Sequence, residues 1–223
     1  MAVLSTPTHR VDRVIVGGGA MGLAAAAELA RRGLSVVVLE QHELHHALGA
    51  SHGATRNFNN AYAEADYLDL LDESRALWGE LERESRRTLL GLHGLVTHGD
   101  PEAVAAAHAA LLARGAAVEL LPAEQATDRW PGMRFDGDVL LSRDAGVVRS
   151  AEALRALSQV AVQHGAVIRS QHRVREINAN SGPGVTVDAV VPSGETVRIA
   201  ASGAVIAAGA WSTPLLADII ALP

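Results

Sequence analysis

The first forty residues carry the spacing of apolar and polar positions that is typical of a strand, a helix and a second strand. The apolar run Arg13–Val16 predicts a buried strand. Residues 20–32 are rich in alanine and leucine and are followed by Gly33, which predicts a helix with a C-terminal glycine. The segment 34–40, LSVVVLE, predicts a second strand that ends in an acid. This order predicts a βαβ unit with a right-handed crossover.

Four later segments have the pattern of helices. Apolar residues recur at helical spacing over 66–87 among many acids and arginines, which predicts an amphipathic helix that packs on a core. The segment 100–115 opens with an Asp-Pro pair and ends in glycine, as a capped helix does. The segment 150–165 is predicted to begin at Ser150 as its N-cap and to end at a glycine. A short helix stopped by proline is predicted at 122–131.

The remaining segments show the alternation or the short apolar runs of strands. Residues 185–191 and 196–200 alternate apolar and polar positions on either side of PSGE, which predicts a β-meander. A separate buried strand is predicted in GAVIAAGAWS (203–212). Further short strands are predicted at 94–99, 166–170 and 173–177 and near Val139 and Val147. Helices and strands mixed in this way predict an α/β fold of two interleaved units.

Composition and charge narrow the classes of function. The net charge of -6 over 223 residues argues against nucleic acid or an acidic membrane surface as the main partner. The chain has no cysteine, which excludes disulfides, thiolate metal sites and a cysteine nucleophile. We see no signal-peptide pattern and no run of roughly 18 apolar residues, so we expect no membrane partner and a cytoplasmic location.

The glycine turn after the first strand is the strongest chemical signal. Gly17, Gly19 and Gly22 have GxGxxG spacing, which allows a tight turn, close approach of a pyrophosphate and close helix–strand packing. The helix N-terminus favours a phosphate, and Glu40 at the end of the next strand can accept hydrogen bonds from ribose hydroxyls. The alternative, a glycine turn without a cofactor, fits this whole context poorly. The pattern predicts a dinucleotide site, and because NAD and FAD share it, the motif alone does not choose between them.

The rest of the chain favours FAD. A polar loop follows Glu40 directly and a meander comes near the end, whereas a simple NAD dehydrogenase would continue in regular strand–helix alternation. Several stretches carry a specific resemblance: VIVGGGAMGLAAAAELARRG, GASHGATR, LWGELE, RWPG, DAGVVRSAEALRAL and GAVIAAGAWS. In these stretches the chain resembles the monomeric sarcosine oxidases and N-methyl amino acid oxidases, within the D-amino-acid-oxidase-like FAD enzymes.

The resemblance implies a Rossmann-like FAD-binding domain of the glutathione-reductase type, interleaved with part of an α+β substrate domain. It implies an FAD-binding domain at 11–85 and 145–213 and a partial substrate domain at 86–144 and 214–223. The implied cofactor contacts are Gly17, Gly19, Ala20, Met21, Gly22, Glu40, Gln41, Ser51, His52, Thr55, Arg56, Val174, Gly209 and Trp211. Arg56 and His52 are the implied catalytic residues, since a positive charge near the flavin favours its anionic reduced form.

Two alternatives compete for the polar residues of this region. His52 and Arg56 would be solvated side chains if GASHGATR were an ordinary surface loop. His42, His45, His46 and His52 lie close in sequence, but their spacing lacks a fixed ligand geometry, so a polar loop is preferred to a metal site.

The chain also departs from the family it resembles. Relatives commonly have a second arginine three residues after the position of Arg56, and here that residue is Asn59. An amide is a weaker carboxylate anchor than a guanidinium, so a larger or less acidic amine than sarcosine is plausible. Relatives continue well beyond the position of Pro223, so we expect a chain without the C-terminal catalytic half.

The resemblance predicts oxidation of a secondary or primary amine, or of an N-methyl amino acid, by hydride transfer to FAD with oxygen as acceptor. The alternative is a non-catalytic or split FAD-binding half that needs a complementary C-terminal polypeptide.

Overall fold

The chain forms two compact units, and the second is inserted into the sequence of the first. The computed structural model describes residues 9–179, 184–217, 219 and 220. Residues up to Gly53 and from Ser150 onward form the first unit, and Ala54–Arg149 form the second. The division into cofactor and substrate domains at residues 85, 145 and 213 remains a prediction. In the predicted substrate-domain segment 214–223, residues 218 and 221–223 lie outside the described residues.

Strands and helices alternate along most of the chain. The strands are β1 (His9–Val16), β2 (Val36–Leu39), β3 (Arg56–Phe58), β4 (Leu90–Gly91), β5 (Leu95–Thr97), β6 (Val118–Leu121), β7 (Val139–Ser142), β8 (Gly146–Val148), β9 (Val167–Arg169), β10 (Arg173–Asn178), β11 (Val185–Val190) and β12 (Thr196–Ile206). The helices are α1 (Ala20–Arg31), α2 (Ala65–Ser85), α3 (Pro101–Ala113), α4 (Ala123–Arg129), α5 (Ser150–Gln163) and α6 (Ser212–Leu216), with a 3-10 helix at Gly209–Trp211. Among the described residues, no helix combines the length and the apolar character needed to cross a membrane.

A six-stranded sheet forms the centre of the first unit, in the order β10-β11-β12-β1-β2-β9. Strand β1 runs parallel to both β2 and β12, and β2 runs parallel to β9. Strands β10, β11 and β12 pair antiparallel. The predicted βαβ unit and the predicted β-meander are both confirmed, and the fold class is α/β.

Strand β12 differs from its prediction as two separate strands. It is continuous from Thr196 to Ile206. Its first half pairs antiparallel with β11, while β1 pairs with it in parallel register from His9↔Ile199 to Val16↔Ile206. Because β1 supplies partners along this length, the strand has no reason to end at Ser202.

The core of the first unit lies on both faces of the sheet. Val14 and Val16 belong to an apolar cluster that also contains buried residues of the meander, and Leu215 and Leu216 of α6 pack against it. Ile15 is fully buried and alternates with them, so it faces the opposite side. Helix α1 packs against α5. The sheet is therefore covered on both faces, as parallel strands require.

The second unit holds two small antiparallel sheets with order β3-β8-β4 and β5-β7-β6. Leu68 of α2 and Val104 of α3 share a buried cluster with Leu140 of β7. The predicted cap of α3 is confirmed, since Asp100 Oδ1 accepts from the amides of Glu102 (2.8 Å) and Ala103 (3.1 Å).

Candidate functional site

A cavity of about 750 Å³ opens in the first unit at the carboxyl ends of β1, β2 and β12. Its lining comes mainly from the turn that follows β1, Leu39 and Glu40 at the end of β2, the loop of residues 41–53, residues 172–175 and the segment 205–215. We call residues 41–53 the histidine loop. A crevice at the carboxyl ends of parallel strands is where open α/β sheets bind their ligands.

Glycine is required twice in the turn after β1. Gly17 has φ +108°, and a Cβ there would lie 2.4 Å from the carbonyl oxygen of Ala207. A Cβ on Gly22 would lie 2.0 Å from the carbonyl oxygen of Gly17. Both obstacles are backbone atoms, which cannot give way as a flexible side chain can. The turn can thus bring β1, α1 and the end of β12 together only with glycine at these positions.

The N-terminus of α1 faces the cavity through Gly19 and Ala20. The amide of Ala20 donates to Ser51 Oγ at 3.0 Å. Ser150, predicted to cap α5, is the first residue of that helix, and its hydroxyl donates to the carbonyl of Ser51 at 2.7 Å. Hydrogen bonds at Ser51 therefore fix the histidine loop to α1 and α5. The N-terminus of α1 beside it favours the binding of an anion.

Glu40 supplies a buried carboxylate at the end of β2. Only 5% of the residue is exposed. Its Oε2 accepts from the amide of Gly18 at 2.7 Å and its Oε1 accepts from the amide of His42 at 2.9 Å. An ionised carboxylate has about four acceptor positions, so these two bonds leave capacity for hydroxyl donors. The position and chemistry fit the ribose of a dinucleotide.

His45 anchors the histidine loop to α5. It adopts φ 67°, a left-handed conformation that is uncommon outside glycine. Its Nε2 lies 3.3 Å from the hydroxyl of Ser158. Partial desolvation lowers the pKa of His45, and the charge of Arg155 acts in the same direction, against a backbone hydrogen bond with Leu154 that raises it. Burial therefore favours the neutral ring of His45.

We expect acid to weaken this anchor. The pKa of His45 is lower in the folded protein than in the unfolded chain. The stability that the neutral His45 ring contributes is therefore complete above about pH 6.5. The contribution is lost as the pH falls through the folded pKa. Urea unfolding between pH 8 and pH 5 should show a steeper loss of stability in the wild type than in His45→Gln. Equal losses would contradict this assignment.

Most of the residues predicted for the cofactor line this cavity. Those that line it are Gly17, Gly19, Ala20, Met21, Glu40, Gln41, Ser51, His52, Val174, Gly209 and Trp211. Gly22 does not line the cavity. It lies where α1 packs closely against the backbone of Gly17. His52 is exposed, and its Nδ1 lies 2.6 Å from the carbonyl oxygen of Gly49.

Thr55 and Arg56 belong to the second unit. Both are exposed, Arg56 lies on β3, and its Nη1 donates to the carbonyl of Thr55 at 2.8 Å. Their predicted roles remain predictions.

Several polar residues that line the cavity were not assigned to it from the sequence, among them His45, His46, His172, Arg173 and Arg175. The spacing of the two loop histidines favours a polar loop over a metal site. The described part of the chain contains no group of three or more metal-ligating side chains placed to hold an ion. Nearness in sequence to Glu40 is the signal that could have assigned the loop histidines to the cavity.

Comparison with known proteins gives consistent matches. A family model described as FAD dependent oxidoreductase (DAO) matches residues 12–223. The peroxisomal sarcosine oxidase of Mus musculus is 34% identical over 217 residues, covering 96% of this chain and 54% of that protein. The N-methyl-L-tryptophan oxidase of Salmonella arizonae is 31% identical over 219 residues, covering 96% and 57%.

A solved structure matches over the same extent. NikD, an unusual amino acid oxidase essential for nikkomycin biosynthesis, superposes with a TM-score of 0.82 at 29% identity, covering 95% of this chain and 55% of that one. The chain thus spans about half the length of the relatives that it matches.

Proposed function

The chain belongs to the DAO family of FAD-dependent oxidoreductases, and from this we propose that it forms the FAD-binding part of an amine oxidase of the sarcosine oxidase type. One observation carries the proposal: a cavity in which the glycine turn, the N-terminus of α1 and buried Glu40 lie together. These are the groups that a pyrophosphate and a ribose require.

The residues present fit FAD. Gly17 and Gly19 let the chain approach a pyrophosphate, Glu40 accepts from ribose hydroxyls, and backbone at Val174 offers a contact to adenine. FAD, when bound, accepts a hydride equivalent from the carbon beside an amine nitrogen, and oxygen is the proposed acceptor of the electrons. The part played by this chain is to hold the cofactor and to tune it electrostatically.

The proposed substrate is a primary or secondary amine, or an N-methyl amino acid. Mouse peroxisomal sarcosine oxidase and Salmonella N-methyl-L-tryptophan oxidase support this class. Asn59 favours a larger or less acidic amine than sarcosine, because it stands where relatives have an arginine and brings no positive charge to a substrate carboxylate. Its Oδ1 accepts from the amide of Ala61 at 3.0 Å. An uncharged amide holding a turn is a poor anchor for a carboxylate. We also propose a cytoplasmic location, which the absence of cysteine fits.

The proposed roles of Arg56 and His52 as electrostatic partners of the flavin rest on the family resemblance. Replacing Arg56 with alanine should weaken FAD binding and make the flavin midpoint potential more negative, because a positive charge stabilises the reduced anion. Arg56→Lys keeps the charge and should retain more of the potential, although it loses the planar guanidinium. Unchanged affinity and potential in Arg56→Ala would show that the role is wrong.

A second proposal is a non-catalytic or split FAD-binding half that works with a complementary C-terminal polypeptide. It is favoured by the matches to about half of each relative. Co-expression with the C-terminal segment of a relative separates the two proposals. Amine-dependent formation of hydrogen peroxide by this chain alone would support the oxidase, and formation only by the combined chains would support the split half. FAD binding without peroxide in either case would support the non-catalytic half.

The first test is a visible absorption spectrum of the purified chain after incubation with FAD and removal of the excess. We expect the flavin bands to remain, at about one FAD for each chain, because the glycine turn, the N-terminus of α1 and Glu40 lie together in the first unit. A colourless protein, both alone and with the complementary segment, would overturn the proposed function. Colour only with that segment would show that the partner closes the site.

A further inference from the structure

A third group lies against the carboxylate of Glu40. Nε2 of His46 is 3.4 Å from Oε1, and the side chains are only 19% and 6% exposed, respectively. The two backbone donors bind different oxygens of the carboxylate: the amide of Gly18 in the glycine turn donates to Oε2, and the amide of His42 in the histidine loop donates to Oε1. His46 is the side chain that completes this set.

A backbone bond selects the tautomer of His46. The amide of Leu48 donates to Nδ1 at 3.0 Å, so Nδ1 must carry a lone pair and not a proton. In the neutral ring the proton then lies on Nε2, the nitrogen that is near Glu40. The histidine loop thus presents a donor, not an acceptor, to the buried acid.

Aromatic neighbours pack near the same ring. The rings of His42 and His46 meet edge-on with centroids 4.7 Å apart, and the centroids of His42 and Trp211 are 6.1 Å apart. The amide of His46 donates to the carbonyl of Glu43 at 3.2 Å. The ring is therefore fixed in place by backbone bonds and by packing together.

We infer that His46 is a positioning residue that orients the carboxylate of Glu40 for the ribose hydroxyls of an adenine nucleotide. The inference rests on the proposed function, since it concerns the ADP portion of FAD. A carboxylate at the end of a strand can rotate about its side-chain bonds, and each orientation presents different acceptor directions. Nε2 of His46 lies beside Oε1 and limits the rotation of the carboxylate. The acceptor directions of the carboxylate that stay unoccupied then point to where the ribose hydroxyls bind.

The test asks whether the effect of replacing His46 depends on the presence of the ribose hydroxyls. Affinities of the full chain for ADP and for 2′,3′-dideoxy-ADP are measured by calorimetry in the wild type, His46→Phe and His46→Gln. His46→Phe keeps a ring beside His42 but loses the donor, and should weaken ADP binding roughly threefold to tenfold. Binding of the dideoxy analogue should change less than twofold. His46→Gln keeps an N–H donor and should recover part of the affinity for ADP.

A matched change separates positioning from general damage to the cavity. His172 lines the same cavity, but its Nδ1 lies 2.7 Å from the carbonyl of Ser170. His172→Phe should therefore affect ADP and the dideoxy analogue equally. A His46→Phe variant that loses equal affinity for both nucleotides would overturn the inference while leaving the nucleotide site intact. Failure of the wild type to bind FAD and ADP would overturn the site and, with it, this inference.

A spectroscopic readout of the unliganded protein tests the same geometry. The ring nitrogens of His46 should show the Nε2–H tautomer in the ¹⁵N spectrum. The opposite tautomer would overturn the inference, because Nε2 would then have no proton to offer Glu40.

Discussion

Replacing Gly22 with alanine should abolish FAD retention and destabilise the first unit by about 3 kcal/mol, at the upper end of ordinary overpacking. The added Cβ would lie 2.0 Å from the carbonyl oxygen of Gly17 and 3.4 Å from the Cβ of Ala207. Relief requires that α1 move away from the turn, which would carry the N-terminus of α1 away from the cavity. Urea unfolding and the visible spectrum after incubation with FAD measure the two effects.

Gly79 in α2 offers the matched control. A Cβ there would meet no atom within 4 Å, and the residue lies inside a helix. Gly79→Ala should stabilise the protein by roughly 0.5–1 kcal/mol and leave FAD retention unchanged. If Gly22→Ala matched the wild type in both measurements, the close packing of turn and helix would not matter for the cofactor.

Local patterns were enough to predict most of the larger elements. The alanine-rich α1, the Asp-Pro start of α3 and the alternation in β11 each depend on a few neighbouring residues, and each is confirmed. The short strands β3, β4 and β6 were not predicted. They have two to four residues, and β3 and β4 exist because β8 pairs with both of them. Pairing between distant segments leaves little trace in local periodicity.

The candidate site shows the same limit. Gly17, Gly19 and Glu40 could be placed together from spacing, because they belong to one βαβ unit whose strand ends line the cavity. His46 could not, because its role depends on a ring nitrogen that faces Glu40 and on an amide that selects its tautomer. His172 lies on a segment that reaches the cavity through the pairing of β2 with β9, which no local pattern reports.

The second large effect is expected on removing the carboxylate of Glu40. Glu40→Ala leaves the amides of Gly18 and His42 without their acceptor. The buried amide of Gly18 left in this state costs about 1–3 kcal/mol and the partly buried amide of His42 costs less, so the turn and the histidine loop should both loosen. Loss of charge-assisted bonds to the ribose should weaken FAD binding roughly tenfold to a hundredfold. Urea unfolding and a FAD titration measure the two losses.

Glu40→Gln separates the charge of this residue from its shape. The amide keeps one oxygen acceptor at nearly the same volume, so stability should fall less than in Glu40→Ala. The wild-type carboxylate repels a phosphate on the ribose 2′-hydroxyl, and the neutral amide does not. The preference for AMP over the same nucleotide carrying a 2′-phosphate should therefore shrink in Glu40→Gln. An unchanged preference would mean that Glu40 does not face the ribose, and the cavity would then have to hold the dinucleotide in another orientation.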